Sequence, residues 1–99
     1  MAYYVYVLLC SNGSYYTGYA RNVMSRFRQH ERGLGARYTR IHKPEKVVHI
    51  EKFHTRREAV RREKTIKRLS HTQKKKLTST REAKPGYAMH ISQEKNVTK

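Results

Sequence analysis

The 99-residue chain has no tryptophan, no aspartate, two prolines and a single cysteine, Cys10. A lone cysteine excludes an intrachain disulfide and a cysteine-rich zinc site. The six histidines (His30, His42, His49, His54, His71 and His90) never fall at HExxH or paired-ligand spacing, which argues against a structural zinc. No apolar run approaches the ~18 residues that a spanning helix needs. The basic segments also lack the tryptophan and broad apolar face of an interfacial helix. The start Met-Ala-Tyr-Tyr has no basic n-region or cleavage site of a secretory signal. These absences together predict a cytoplasmic, reduced protein with no membrane partner. With aspartate missing, any divalent-cation site must draw on Glu31, Glu45, Glu51, Glu58, Glu63, Glu82 and Glu94.

What is abundant is positive charge. Lysine and arginine number 23 against 7 acidic residues, for a formal net charge of +16 and an isoelectric point near 10.4. Such a chain repels itself, and a polyanion is its natural partner; with membranes disfavoured, that partner is nucleic acid. The length allows one modest hydrophobic core and so one domain.

Tyr3 to Cys10 is dense in aromatic and β-branched residues, Ser11-Asn12-Gly13-Ser14 is a turn signal, and Tyr15 to Tyr19 reads as the returning strand of a hairpin. Asn22 is placed to cap a helix running to about Arg32, with Gly33 offering the left-handed position beyond its end. On an ideal helix Val23, Phe27 and Leu34 fall within about 40° of one another, with His30 and Arg26 on the flank of that stripe. Residues 33–45 hold two glycines, a proline and four cationic side chains without helical period, and are expected to be a basic loop. Lys46 to Phe53 alternates as a third strand, Val48 and Ile50 inward, Val47, His49 and Glu51 on the other face. Thr55 and Glu58 form a capping box for a helix reaching about Leu69, and Ser70 and Gln73 form another for a short helix containing Lys74, Lys75, Lys76 and Leu77. The expectation is a small α+β domain over residues 1–78, a three-stranded antiparallel sheet flanked by helices in the order β-β-α-β-α-α. Residues 79–99 are polar, with Pro85-Gly86, and are expected to form a basic, disordered tail.

Glu63 is out of place. On the ideal helix it lies inside the apolar arc marked by Ala59, Ile66 and Leu69, where an amphipathic helix would carry leucine. An inward carboxylate needs a cation, because burying an unpaired charge costs several kcal/mol. Lys67, one turn on and in the favourable order, is one answer; a metal ion is the other. Glu58 belongs to a cap, Glu31 to a helix end, Glu45 and Glu51 to exposed parts in or beside a strand, and Glu82 and Glu94 to the tail. The eight tyrosines, five of them Tyr3, Tyr4, Tyr6, Tyr15 and Tyr16, suit strand packing as well as chemistry.

Tyr4-Val5-Tyr6 followed by Tyr16-Thr17-Gly18 resembles the paired tripeptides of the GIY-YIG nucleases. The likeness extends to Arg26, His30 a turn later and the inward Glu63, and to Gly35-Ala36-Arg37-Tyr38-Thr39 and Glu63 to Leu69, which resemble the small single-domain bacterial branch of that superfamily. It covers about residues 3–77. Tyr4 stands where the first motif has glycine, Thr17 where the second has isoleucine, and Gln73 or a lysine where a polar residue, commonly asparagine, often follows the glutamate. The resemblance implies a metal-dependent endonuclease, acting on DNA of repair or recombination type. Glu63 would hold one Mg²⁺ or Mn²⁺, Arg26 would brace the scissile phosphate, and Tyr6 and Tyr16 would position and deprotonate the attacking water. His30 would assist proton transfer. Nearby cations would have to lower the tyrosine pKa for that task. Gly18 would let the backbone approach closely, and Arg37, Arg40, Lys43, Lys67, Lys74, Lys75 and Lys76 would grip flanking phosphates. A non-catalytic DNA- or RNA-binding module, or a scaffold that recruits a partner protein, accounts for the charge without the chemistry.

One geometric condition follows. A plain two-residue Asn12-Gly13 turn would place Tyr6 and Tyr16 on opposite faces, so convergence of Tyr6, Tyr16, Arg26, His30 and Glu63 on one concave face requires an odd-length or bulged turn.

Overall fold

The turn meets that condition. In a computed structural model that describes residues 2–79, strand β1 (Tyr3–Cys10) is joined to strand β2 (Tyr15–Ala20) through a loop of Ser11, Asn12 and Gly13 and then Ser14, which lies opposite Cys10. The Gly13 N–H donates to the Cys10 carbonyl and the Cys10 N–H to the Ser14 carbonyl, both at 2.9 Å. Gly13 has φ 82°, the left-handed conformation that closes a loop of this length at little cost for glycine. The register that results pairs Tyr6 with Gly18 and Leu8 with Tyr16. Tyr6, Leu8, Tyr16 and Gly18 therefore share one face.

Strand β3 (Pro44–Phe53) pairs antiparallel with the other side of β1, giving the sheet order β2-β1-β3. Val7 faces His49 while Leu8 faces Val47, so Val48 is the extra residue of a bulge. The bulge breaks the expected alternation: Val47 joins Ile50 on the Tyr6 face, and Val48 packs with the opposite cluster. Glu51, expected in an exposed part of the strand, is only 3% exposed, because it lies on the face covered by the long helix.

Helix α1 (Val23–Glu31) begins where the Asn22 side chain accepts the Ser25 N–H at 2.9 Å. It ends in a Schellman motif, with Gly33 at φ 77°, its N–H on the His30 carbonyl and the Leu34 N–H on the Gln29 carbonyl. That left-handed step takes Leu34 out of the helical stripe assigned to it, and Leu34 is 71% exposed. Within the expected basic loop, Arg37–Ile41 form one short helix, α2. Helix α3 (Arg56–Lys67) carries both hydrogen bonds of the Thr55/Glu58 capping box. Helix α4 (His71–Ser79) starts at the reciprocal Ser70–Gln73 bonds. The tail expected from residue 79 onward lies outside the described residues, apart from Ser79.

The sheet is covered on both faces. Tyr6, Leu8, Val47 and Ile50 pack against Val23 and Phe27 of α1. Val5 and Val7 pack against Ala59 and Ile66 of α3, with Leu69 and Leu77 half-buried beside them. Each large aliphatic side chain buried this way contributes about 1.5–3 kcal/mol. Thr17, in the isoleucine position of the family motif, buries a hydroxyl with no hydrogen-bond partner among the described residues. Among those residues no helix is long and apolar enough to cross a membrane.

Candidate active site

β2 is an edge strand, and an open cleft of ≈ 680 Å³ wraps around it. Its lining draws on residues of both sheet faces: Tyr6, Tyr16 and Gly18 from one, Tyr3 and Tyr19 from the other. Arg26 and His30 enter from α1, and Glu63 enters from α3. The five expected residues thus line a single cleft, but not by sharing one face of the sheet. Glu63 belongs to the helix on the opposite face and reaches the cleft past the sheet's free edge. Arg37, Arg40, Lys43, Lys67, Lys74 and Lys75 are not among the lining residues. All but the half-buried Lys74 are exposed.

Gly18 is required by space rather than by backbone conformation. A Cβ there would lie 2.5 Å from Tyr6 Oη and 2.7 Å from its Cζ, so glycine lets the phenol lie across β2. Tyr6 is 2% exposed and its Oη is 2.9 Å from His30 Nε2. His30, also 2% exposed, holds its other nitrogen 2.7 Å from Thr39 Oγ1. Tyr16 packs its ring 5.0 Å from the imidazole and 6.1 Å from the ring of Tyr38, centroid to centroid, the latter pair stacked at 23°. Arg26 is exposed, with Nη1 3.4 Å from Gln29 Oε1. Glu63 is half-buried, and its ion pair with Lys67 spans 3.5 Å.

The electrostatics run against one expectation. Burial, and after it the charges of Tyr16 and Glu63, push the Tyr6 phenol well above its ordinary pKa of 10 despite the opposing effect of Arg26. Burial and Glu63 raise Tyr16 in the same way. Cationic lowering by the protein's own groups is therefore outweighed, and both side chains are neutral phenols at neutral pH. Burial, reinforced by Arg26, holds His30 below the usual imidazole value. It is a neutral proton acceptor beside neutral phenols.

Among the described residues no three His, Cys or Glu side chains cluster as a metal cage. One half-buried carboxylate whose sole ion pair there is long fits a hard divalent cation that keeps most of its water; it does not fit a dehydrated ion. The residues that sequence reasoning missed are Gly35 and Thr39, which enclose His30, and the group made by the buried His49 and Glu51 with the half-buried Arg62. Gly35 and Thr39 did stand inside a quoted family motif, but with no role attached.

Residues 2–77 match a protein-family model described as the GIY-YIG catalytic domain. A UPF0213 protein of Staphylococcus aureus (strain Mu3) is 43% identical over 81 residues, covering 82% of this chain and 96% of its own. The solution NMR structure of the UPF0213 protein BH0048 from Bacillus halodurans superposes with a TM-score of 0.51 at 43% identity, over 80% of this chain and 84% of that one. That of the protein EF2693 from E. faecalis gives 0.53 at 40% identity, over 77% and 81%.

Proposed function

The chain belongs to the GIY-YIG family, and from that premise we propose that it is a metal-dependent endonuclease that hydrolyses phosphodiester bonds in DNA. The observation that carries this reading is the cleft itself: Arg26, the half-buried Glu63, the buried Tyr6, the half-buried Tyr16 and the neutral imidazole of His30 line the same volume across the sheet's edge. Hydrolysis of a phosphodiester needs charge neutralisation at the phosphate, a deprotonated water in line and support for the departing oxygen. Arg26, exposed and held among the described residues by a long bond to Gln29, can turn its planar guanidinium onto a phosphate. Glu63 would hold one Mg²⁺ or Mn²⁺, which when bound supplies Lewis-acid neutralisation and a more acidic water.

Proton movement falls to Tyr6 and His30. A free phenolate is costly in so buried a position, so Tyr6 accepts the water's proton on Oη as its own proton passes to His30 Nε2. The resulting hydroxide attacks phosphorus, the bond to the leaving oxygen breaks and that oxygen takes up a proton from solvent, while the proton on His30 returns by way of Tyr6, its partner at Nε2. Tyr16, its ring tilted against the imidazole, orients the water from the other side. The exposed Arg37, Arg40, Lys43, Lys67 and Lys75, with the half-buried Lys74, grip flanking phosphates, making binding salt-sensitive and largely independent of sequence. Repair or recombination intermediates are the proposed substrates, with a protein partner able to direct their choice.

The test is cleavage of labelled linear, branched and single-stranded DNA with Mg²⁺, Mn²⁺ or chelator. Glu63→Gln is expected to abolish cleavage, by roughly a hundredfold or more, while DNA binding stays intact. Full nicking by that variant, on a preparation free of host nucleases, sinks the mechanism.

A further inference from the structure

We infer that Thr39 is a positioning residue: with the Ala36 carbonyl it fixes the tautomer of His30, so that the Nε2 lone pair faces Tyr6. The inference rests on the catalytic reading of Tyr6 and His30, but its structural content stands apart from activity. Two proton arrangements satisfy the heavy-atom positions. In one, the Tyr6 hydroxyl donates to Nε2, and Nδ1–H donates to Thr39 Oγ1. In the other every proton points the opposite way, Thr39 donating to Nδ1 and Nε2–H donating to Tyr6. Only the first lets His30 take a proton from Tyr6.

Ala36 decides between them. Thr39 Oγ1 lies 2.9 Å from the Ala36 carbonyl oxygen, which can only accept. The single hydroxyl proton is therefore committed to that carbonyl. Oγ1 must then accept at its 2.7 Å contact with His30, and this makes Nδ1 the protonated nitrogen. Thr39 is completely buried, so no solvent molecule competes for either contact. The approach of this segment to the imidazole is itself built in. A Cβ at Gly35 would collide with Nδ1, Cε1 and Cγ of the ring, and glycine there lets the chain close over His30. A segment that reads as a basic loop thus supplies the far end of a directed chain, Tyr6 to His30 to Thr39 to the Ala36 carbonyl.

The experiment is a long-range ¹H–¹⁵N correlation on the uniformly ¹⁵N-labelled full chain, with the His30 signals identified by their loss in His30→Asn. A protonated, pyrrole-type Nδ1 and an unprotonated, pyridine-type Nε2 are expected. Thr39→Val, which exchanges the hydroxyl for a methyl, is expected to shift the imidazole toward the Nε2–H form. It should lower kcat by roughly a hundredfold with KM little changed, and Thr39→Ser should restore both signature and rate. A wild-type spectrum showing Nε2–H overturns the inference. So does a Thr39→Val protein with the wild-type signature and rate. Should Thr39→Val fail to fold, the wild-type and Thr39→Ser spectra still decide the tautomer. A wild-type protein that cleaves nothing defeats the endonuclease reading and leaves the spectrum to judge Thr39 alone.

Discussion

Glu51 and Glu63 are both turned inward on a strongly basic protein, and their surroundings could hardly differ more. Arg62 reaches Glu51 with two parallel bonds, Nε at 2.8 Å and Nη2 at 2.9 Å, and His49 Nε2 adds a third contact at 2.7 Å. Burial alone would raise the Glu51 pKa, but these hydrogen bonds from His49 and Arg62 win and push it down to about 2. Glu63 has one ion pair among the described residues, at 3.5 Å, with a lysine side chain that is 51% exposed. A carboxylate whose acceptor positions are filled is committed to the fold. One whose acceptor positions still face a cleft retains the capacity to hold a cation. The two are linked through α3: Arg62 and Glu63 are consecutive, and a turn of about 100° per residue takes the chain from the Glu51 ion pair to the sheet's edge.

The largest effect expected from breaking this contrast is in stability. Glu51→Ala leaves Arg62, whose side chain is 33% exposed, without its partner and should cost about 2–4 kcal/mol, measured by denaturant unfolding, whereas Glu63→Gln should change stability by only about 0.2–0.5 kcal/mol. Equal costs at the two positions would dissolve the distinction. Next comes acid. Because the folded pKa of Glu51 lies below its ordinary value of 4.5, its contribution is fully present above about pH 4.5 and is lost as pH falls toward about 2. That contribution is about 3 kcal/mol, so stability of the wild type should fall across this window, and Glu51→Gln should flatten the fall. Smallest is Lys67→Ala, expected to cost about 0.2–0.5 kcal/mol and, with one phosphate contact removed, to weaken DNA binding slightly while Mg²⁺-dependent nicking persists at saturating DNA. Loss of nicking on DNA that the variant still binds would mean that Glu63 works through Lys67 and not through a metal ion.

Local signals carried most of the fold. Asn22, Gly33, Thr55 with Glu58, and Ser70 with Gln73 each act within a few residues of themselves, and each does in the structure what its position implies. The bulge at Val48 was illegible because it depends on how β3 meets β1, and with it went the sorting of Val47 and Val48 between faces. Glu51 looked exposed for the same kind of reason: its partner Arg62 sits on a helix whose placement over the strand no periodicity reveals. For the candidate site, helical spacing turned Glu63 inward and put His30 and Arg26 on one flank, and the cleft gathers them with both tyrosines. The route of Glu63 around the edge strand, and the enclosure of His30 by Gly35 and Thr39, are tertiary facts. The tyrosine pKa expectation missed because it counted charges and left out burial.

The loop of Ser11, Asn12 and Gly13 also limits how this chain tolerates insertion and deletion. A change there that slid β2 by one position, with Tyr6 held in place, would bring Thr17 to the tyrosine side and turn Tyr16 beneath α3. Length changes at this tip preserve the tyrosine pair only where the new turn still closes on Cys10 and Ser14. The two tripeptides are therefore tied together through the pair that closes the turn, and an alignment that scores the motifs without that pair discards the information that brings the two phenols together.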